Sequence, residues 1–144
     1  MFAYASGPST TPLLGETIGA MFDRIATEHA TDDALIAVAQ GIRWTYAELR
    51  AQVDRCARAL VAAGVEQGER VGIWAPNCAE WVVMQFATAK VGCILVNVNP
   101  AYRSHELEYV LRQSGCTLLV LAPGFRDADY RAILEAARPR KLRT

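Results

Sequence analysis

Hydrophobic positions along this chain change their period repeatedly, and each change marks a boundary between elements. Ile18, Met21, Phe22 and Ile25 recur at offsets of 3, 4 and 7, so residues 16–30 are expected to form a helix with one apolar face. The run "ALIAVAQGIRWTY" reads as a hairpin of two short strands, with Leu35, Ile36 and Val38 before Gln40-Gly41 and Ile42 and Trp44 after it. Thr45 and Glu48 then have the spacing of a capping box, in which hydroxyl and carboxylate each satisfy the other residue's backbone N–H. A long helix follows, its stripe drawn by Leu49, Val53, Cys56 and Leu60, with Glu48, Arg55 and Arg58 left to solvent. Gly64 is placed to end it in a left-handed conformation.

From Arg70 the pattern becomes regular. "RVGIWAP" is a strand, Cys78 to Val91 a helix and "CILVNVN" a strand; a helix from Ser104, a strand at "TLLVLAP" and a helix near Asp127 to Ala137 follow. Strands separated by helices predict a parallel sheet with right-handed crossovers, and nearly continuous apolar strands predict one covered on both faces. The fold class is therefore α/β, a largely parallel sheet flanked by helices, with a short amino-terminal hairpin. Trp81, Val82, Val83, Met84 and Phe86 make their helix apolar nearly all round, which places it between the sheet and neighbouring helices. No internal repeat exists beyond this alternation.

Composition narrows the function classes. A content of 52% hydrophobic and 21% charged residues is that of a globular chain, and 15 basic against 15 acidic residues give a nucleic-acid partner no support. Cys56, Cys78, Cys93 and Cys116 lack both the close pairs of a zinc site and the density of a disulfide scaffold, so they are expected to be buried free thiols in a reducing cytoplasm. The first fourteen residues lack the features of a signal peptide, and no stretch is long and apolar enough to span a membrane. Residues 1–14 read as a flexible lead, 15–137 as the folded domain and 138–144, with four basic groups and no acid, as a frayed basic tail.

In an open parallel sheet, ligands sit beyond the carboxyl ends of the strands, where helix N-termini offer unpaired N–H groups. The first such exit is Ala75-Pro76-Asn77, in which Asn77 is expected to cap the next helix. The second is Asn97-Val98-Asn99-Pro100, followed by Tyr102, Arg103 and a helix capped by Ser104. Alternation puts Asn97 and Asn99 on one side of the strand, where buried amides would need partners from the loop or from a ligand. Arg103 is either a surface group or an anion holder. His29 and His105 belong to no nucleophilic or metal-binding constellation and read as structural or surface residues. Neither G-x-x-x-x-G-K-[ST] nor G-x-G-x-x-G occurs.

"WTYAEL" (44–49) followed by "GVEQGERVGIWAPNCAEWVVMQFATAKVGCILVNVNPAYRSHELEYVLRQSG" (64–115) resembles the amino-terminal part of the acyl-CoA synthetases, within the adenylate-forming, AMP-binding family. The likeness runs from about Pro12 to Leu134 and is most specific from Ala87 to Leu111, through the Lys90-Val91-Gly92 turn and the Asn97-to-Tyr102 exit. "NVNPAYR" is similar to the form found in fatty-acid and other medium- or long-chain members. The resemblance implies a ligase that uses ATP, CoA and Mg²⁺. A fatty or related carboxylate displaces pyrophosphate to form an acyl-adenylate, and the CoA thiol then displaces AMP.

Family members also carry a Ser/Thr/Gly-rich phosphate loop ending in Pro-Lys, an acidic segment for ribose and metal, and a mobile carboxyl-terminal domain with a catalytic lysine. None occurs before Thr144, so no catalytic or metal-binding residue is carried over, and the chain alone is expected to be inactive and to bind none of ATP, CoA and Mg²⁺ productively. Asn99, Tyr102 and Arg103 are the supporting residues that the resemblance suggests. The rival reading is a non-catalytic binding or interaction module that keeps the sheet and associates through uncovered apolar surface. An unrelated flavodoxin-like nucleotide binder would need a phosphate-cradling loop, and the sequence offers none.

Overall fold

A computed structural model describes residues 7, 10, 11, 13–137 and 142. Most of the amino-terminal lead and all of the tail but Leu142 lie outside the described residues. The chain opens with α1 (Ile18–Glu28), whose first turn is capped by the Thr17 hydroxyl accepting from the Ala20 amide at 3.2 Å. Its inner face is Gly19, Phe22 and Ala26, while Ile18 is 58% exposed and stands outside the stripe expected for it. Gly19 occupies a point of close approach, since a Cβ there would lie 3.1 Å from the Lys90 Cα.

Strands β1 (Asp33–Ala37) and β2 (Ile42–Thr45) form the antiparallel hairpin, Leu35 opposite Trp44 and Ala37 opposite Ile42. Val38 lies outside β1, in a single 3₁₀ turn spanning Val38–Gln40, and is almost fully exposed. Helix α2 (Tyr46–Ala62) begins with the expected capping box: the Glu48 amide donates to the Thr45 hydroxyl at 3.2 Å and the Thr45 amide to the Glu48 carboxylate at 2.8 Å. Leu49, Val53 and Leu60 are buried on its stripe, Cys56 is half-buried, and Gly64 takes the left-handed conformation just past its end.

Three parallel strands make the main sheet: β3 (Arg70–Trp74), β4 (Ile94–Val98) and β5 (Leu118–Leu121), in the order β4-β3-β5. Val71 pairs with Leu95 on one side and Leu118 on the other. Helix α3 (Ala79–Val91) links β3 to β4, and α4 (Ser104–Ser114) carries the chain back across β3 to β5. Crossovers of one hand running in opposite directions put these two helices on opposite faces.

The core divides accordingly. Val71 and Ile73 of β3 join Phe22, Val53, Met84 and Ala87 on one face; Trp74 joins Val98, Leu107, Leu111 and Cys116 on the other. Phe22 stacks on Phe86 with centroids 4.3 Å apart, which locks α1 to α3. Leu107 and Leu111, one helical turn apart, are the buried positions of α4.

Beyond β5 the chain departs from its expected course. Residues predicted to start a helix at Asp127 instead form a minimal antiparallel pair, β6 (Gly124–Phe125) and β7 (Ala128–Asp129), and α5 (Tyr130–Ala137) begins three residues later. Arg126 turns this hairpin at φ 54°, in the left-handed region. No helix among the described residues is long and apolar enough to cross a membrane.

Candidate functional site at the strand carboxyl ends

Strands β3 and β4 are neighbours whose following helices leave toward opposite faces, so their carboxyl ends border the position where an open parallel sheet forms a crevice. The Ala75–Cys78 exit lies on one side and the Asn99–Arg103 exit on the other.

At the first exit the expected cap is absent. Asn77 is exposed, and the residue at the cap position of α3 is Cys78, whose side chain makes no capping bond. Gln40, from the hairpin turn, supplies it. Its side-chain oxygen accepts from the Ala79 amide at 2.7 Å and its amide nitrogen donates to the Glu80 carboxylate at 2.9 Å, which holds Glu80 below the usual carboxylate range. Burial pushes the Cys78 thiol up, so it is not a thiolate waiting at a helix N-terminus.

At the second exit, Asn97 and Asn99 are both exposed, so the burial argument for partnering their amides does not apply. Asn99 instead folds its own loop: its side-chain oxygen accepts from the Ala101 amide at 2.9 Å and its backbone carbonyl from the Tyr102 amide at 3.1 Å. The cap position of α4 is Arg103 rather than Ser104. The Glu106 carboxylate accepts from the Arg103 amide at 3.1 Å, and the backbone donors of Glu106 and Arg103 keep that carboxyl below its usual range.

Facing this loop is the β6–β7 hairpin, and together they enclose a small open cavity of about 80 Å³, lined by Pro100, Ala101, Arg103, Phe125, Arg126 and Asp127, among others. An ion pair crosses it: the Arg103 guanidinium donates to both Asp127 oxygens, at 3.0 and 3.2 Å. Arg103's hydrogen bond holds the Asp127 carboxyl below its usual range. The Arg126 guanidinium lies over the Phe125 ring at 5.1 Å from its centroid. The cavity thus has two guanidinium groups and one carboxylate on its lining.

Beneath it, Trp74 and Tyr130 stack with centroids 3.7 Å apart and planes 9° apart, both wholly buried. The Trp74 indole donates to the Asn99 carbonyl at 3.0 Å and the Tyr130 hydroxyl to the Pro100 carbonyl at 2.8 Å.

Of the three supporting residues, Asn99 folds this loop through its own hydrogen bonds, Arg103 lines the cavity, and Tyr102 is half-buried against the α4–α5 core. Sequence reasoning missed Trp74, Phe125, Arg126, Asp127 and Tyr130. The available signal was chemical and reached only Trp74: an indole within an apolar strand carries a polar N–H that burial obliges to find a partner, whereas Tyr130 lies between Asp129 and Arg131.

His29 and His105 are exposed, His29 bonded to the Asp32 carboxylate at 3.0 Å. All four cysteines are free, but only Cys116 is buried; the other three are intermediate, against the expectation of four buried thiols. Among the described residues, no group of three or more His, Cys, Asp or Glu is placed to hold a metal ion.

Comparison with known proteins places the chain in a family. The family model for "AMP-binding enzyme" matches residues 22–143. The medium-chain acyl-CoA ligase ACSF2, mitochondrial, of Rattus norvegicus is 40% identical over 137 residues, covering 95% of this chain and 22% of that protein. Its Danio rerio counterpart is 40% identical over 137 residues, covering 95% of this chain and 23% of that one.

Among solved structures, a Mycobacterium tuberculosis fatty acyl CoA synthetase superposes with a TM-score of 0.80 at 27% identity, over 88% of this chain and 25% of that chain. The N-terminal domain of FACL13 from the same organism gives 0.80 at 27% identity, over 88% of this chain and 32% of that chain. The chain therefore spans about a fifth of the length of the curated relatives it matches.

Proposed function

Because the chain belongs to the AMP-binding enzyme family, we propose that it is the amino-terminal portion of an ATP- and CoA-dependent ligase acting on a fatty or related carboxylic acid. The observation that carries this reading is the match to acyl-CoA ligases over 95% of the chain at 40% identity. In the reaction so assigned, the carboxylate oxygen attacks the α-phosphorus of ATP and pyrophosphate leaves. The CoA sulfur then attacks the acyl carbonyl and AMP leaves. Mg²⁺ would neutralise phosphate charge in the first step, and the described residues offer no carboxylate cluster for it, so its ligands are assigned to the remainder of the ligase.

In this reading the 144 residues supply scaffold and rim. Asn99 shapes the β4 exit, Tyr102 anchors it to the core, and Arg103 with Arg126 offers positive charge to a phosphate of ATP or CoA. Asp127 competes for Arg103, but it is 81% exposed, and a pair so open to solvent yields readily to a stronger anion. The chain alone lacks a phosphate loop and is inactive as a ligase. The reading keeps the cytoplasm as its location, where free thiols persist; the word mitochondrial belongs to the names of the relatives.

Titration calorimetry with CoA tests the assignment of the rim. Arg103→Ala and Arg126→Ala are each expected to weaken binding about tenfold, the worth of one hydrogen bond to a charged group. No CoA binding, or affinity indifferent to both substitutions, contradicts it.

A second reading, a non-catalytic interaction module, draws on exposed apolar side chains: Val38 is 86% exposed, Ile36 52% and Ile94 47%, and β4 and β5 each have one unpaired edge among the described residues. Concentration-dependent self-association in light scattering, abolished by Ile94→Lys, is the result that would favour it.

A further inference from the structure

The cavity has two walls that come from distant parts of the sequence, and one residue touches the support of both. Pro100, Ala101 and Arg103 form the wall that leaves β4; Phe125, Arg126, Asp127 and Ala128 form the wall built by the β6–β7 hairpin. Tyr130 continues directly from the second wall, and its amide donates to the Pro123 carbonyl at 3.2 Å, closing that hairpin at its base. From there its ring runs beneath the first wall and its hydroxyl meets the Pro100 carbonyl at 2.8 Å.

The platform under it is Trp74, the last residue of the central strand. Its indole N–H is committed to the Asn99 carbonyl at 3.0 Å, so two consecutive carbonyls of the loop are held by two stacked rings. Hydrophobic packing alone would need neither polar atom, and Phe in place of Tyr130 would fill the same layer without the hydroxyl. The ion pair between the walls, Arg103 to Asp127, is exposed on both sides and open to competition from any anion. The buried bridge has no such competitor: both rings are inaccessible, and burial pushes the Tyr130 phenol up, keeping its donor proton in place across the neutral range.

We propose that Tyr130, on its Trp74 platform, is a positioning residue that fixes the spacing of the two cavity walls, and with it the separation of Arg103 from Arg126. The geometric part stands alone; its bearing on ligand affinity rests on the phosphate reading given above.

Tyr130→Phe keeps the stack and deletes the hydroxyl. Leu111→Val, in the same core but not in the loop's hydrogen bonding, is the control for general destabilisation. In amide hydrogen exchange followed by NMR, Tyr130→Phe is expected to speed exchange at Ala101 and Tyr102 about fivefold, the worth of one hydrogen bond, beyond any change in Leu111→Val. Exchange at Val71 to Ile73 should match between the two variants. CoA affinity should fall by a similar factor in Tyr130→Phe and hold in Leu111→Val.

Equal loop exchange in the two variants overturns the proposal. Faster loop exchange in Tyr130→Phe with no CoA binding by the unaltered chain upholds the positioning role and contradicts the phosphate reading alone. Should Tyr130→Phe fail to fold, Trp74→Phe makes the test from Asn99 by removing the indole N–H, and Leu111→Ala, which also opens a cavity in the same core, replaces Leu111→Val as its control.

Discussion

The side-chain oxygen of Gln40 accepts a hydrogen bond from the Ala79 amide at 2.7 Å, so the amino end of α3 is closed by a residue 39 positions earlier in the chain. A cap supplied from the hairpin turn couples two units that share no sheet. Gln40→Ala is therefore expected to cost about 1 kcal/mol in urea unfolding, the usual worth of an N-terminal cap. Asn77→Ala, at the position the sequence favoured, is expected to change stability by less than about 0.5 kcal/mol. Equal losses in the two variants would contradict this account of the helix start.

Lys90 joins three helices. Its ammonium, 13% exposed, donates to Asp23 of α1 and Asp54 of α2 at 2.5 Å each from its place near the end of α3. Burial pulls the ammonium down, but its hydrogen bonds to the two carboxylates, with their charge, outweigh it and leave Lys90 raised above the usual lysine range. A raised basic group holds its proton more tightly folded than unfolded. Its contribution is whole below about pH 10.4, the unfolded lysine value, and is lost as pH climbs through the folded value. Lys90→Met is expected to cost about 1–2 kcal/mol at pH 7, because it strands two partly exposed carboxylates side by side. The difference between Lys90→Met and the unaltered chain should narrow above pH 10.5. Urea midpoints across that range measure it, and a pH-independent difference would contradict the ionic origin.

What the sequence disclosed about this fold follows the range over which each determinant acts. The Thr45–Glu48 capping box, the Leu49-Val53-Leu60 stripe and the apolar strands are local or periodic, and they were readable. The α3 cap was not, because Gln40 reaches it through a tertiary contact that leaves no mark at Asn77 or Cys78. Nor was the β6–β7 hairpin, since its turn depends on Arg126 in a left-handed conformation, which glycine usually signals and arginine does not.

One wall of the cavity could be approached from the sequence. Strand exits in an α/β sheet draw attention to the loop that holds Asn99 and Arg103, and the family resemblance ranked those residues with Tyr102. The opposing wall, with Arg126 and Asp127, came from residues that read as the start of a helix; Trp74 sits in an apolar strand and Tyr130 between Asp129 and Arg131, and nothing local to either marks that they stack.

The central claim is the proposal that these 144 residues contribute scaffold and a rim carrying Arg103 and Arg126 to a ligase whose catalytic groups lie elsewhere. Incubating the purified chain with ATP, Mg²⁺, CoA and a medium-chain fatty acid, while following pyrophosphate release and acyl-AMP by mass spectrometry, tests it most directly. The account predicts no release above the protein-free blank. Acyl-adenylate formed by the isolated chain, in proportion to its concentration and free of contaminating ligase, would contradict it.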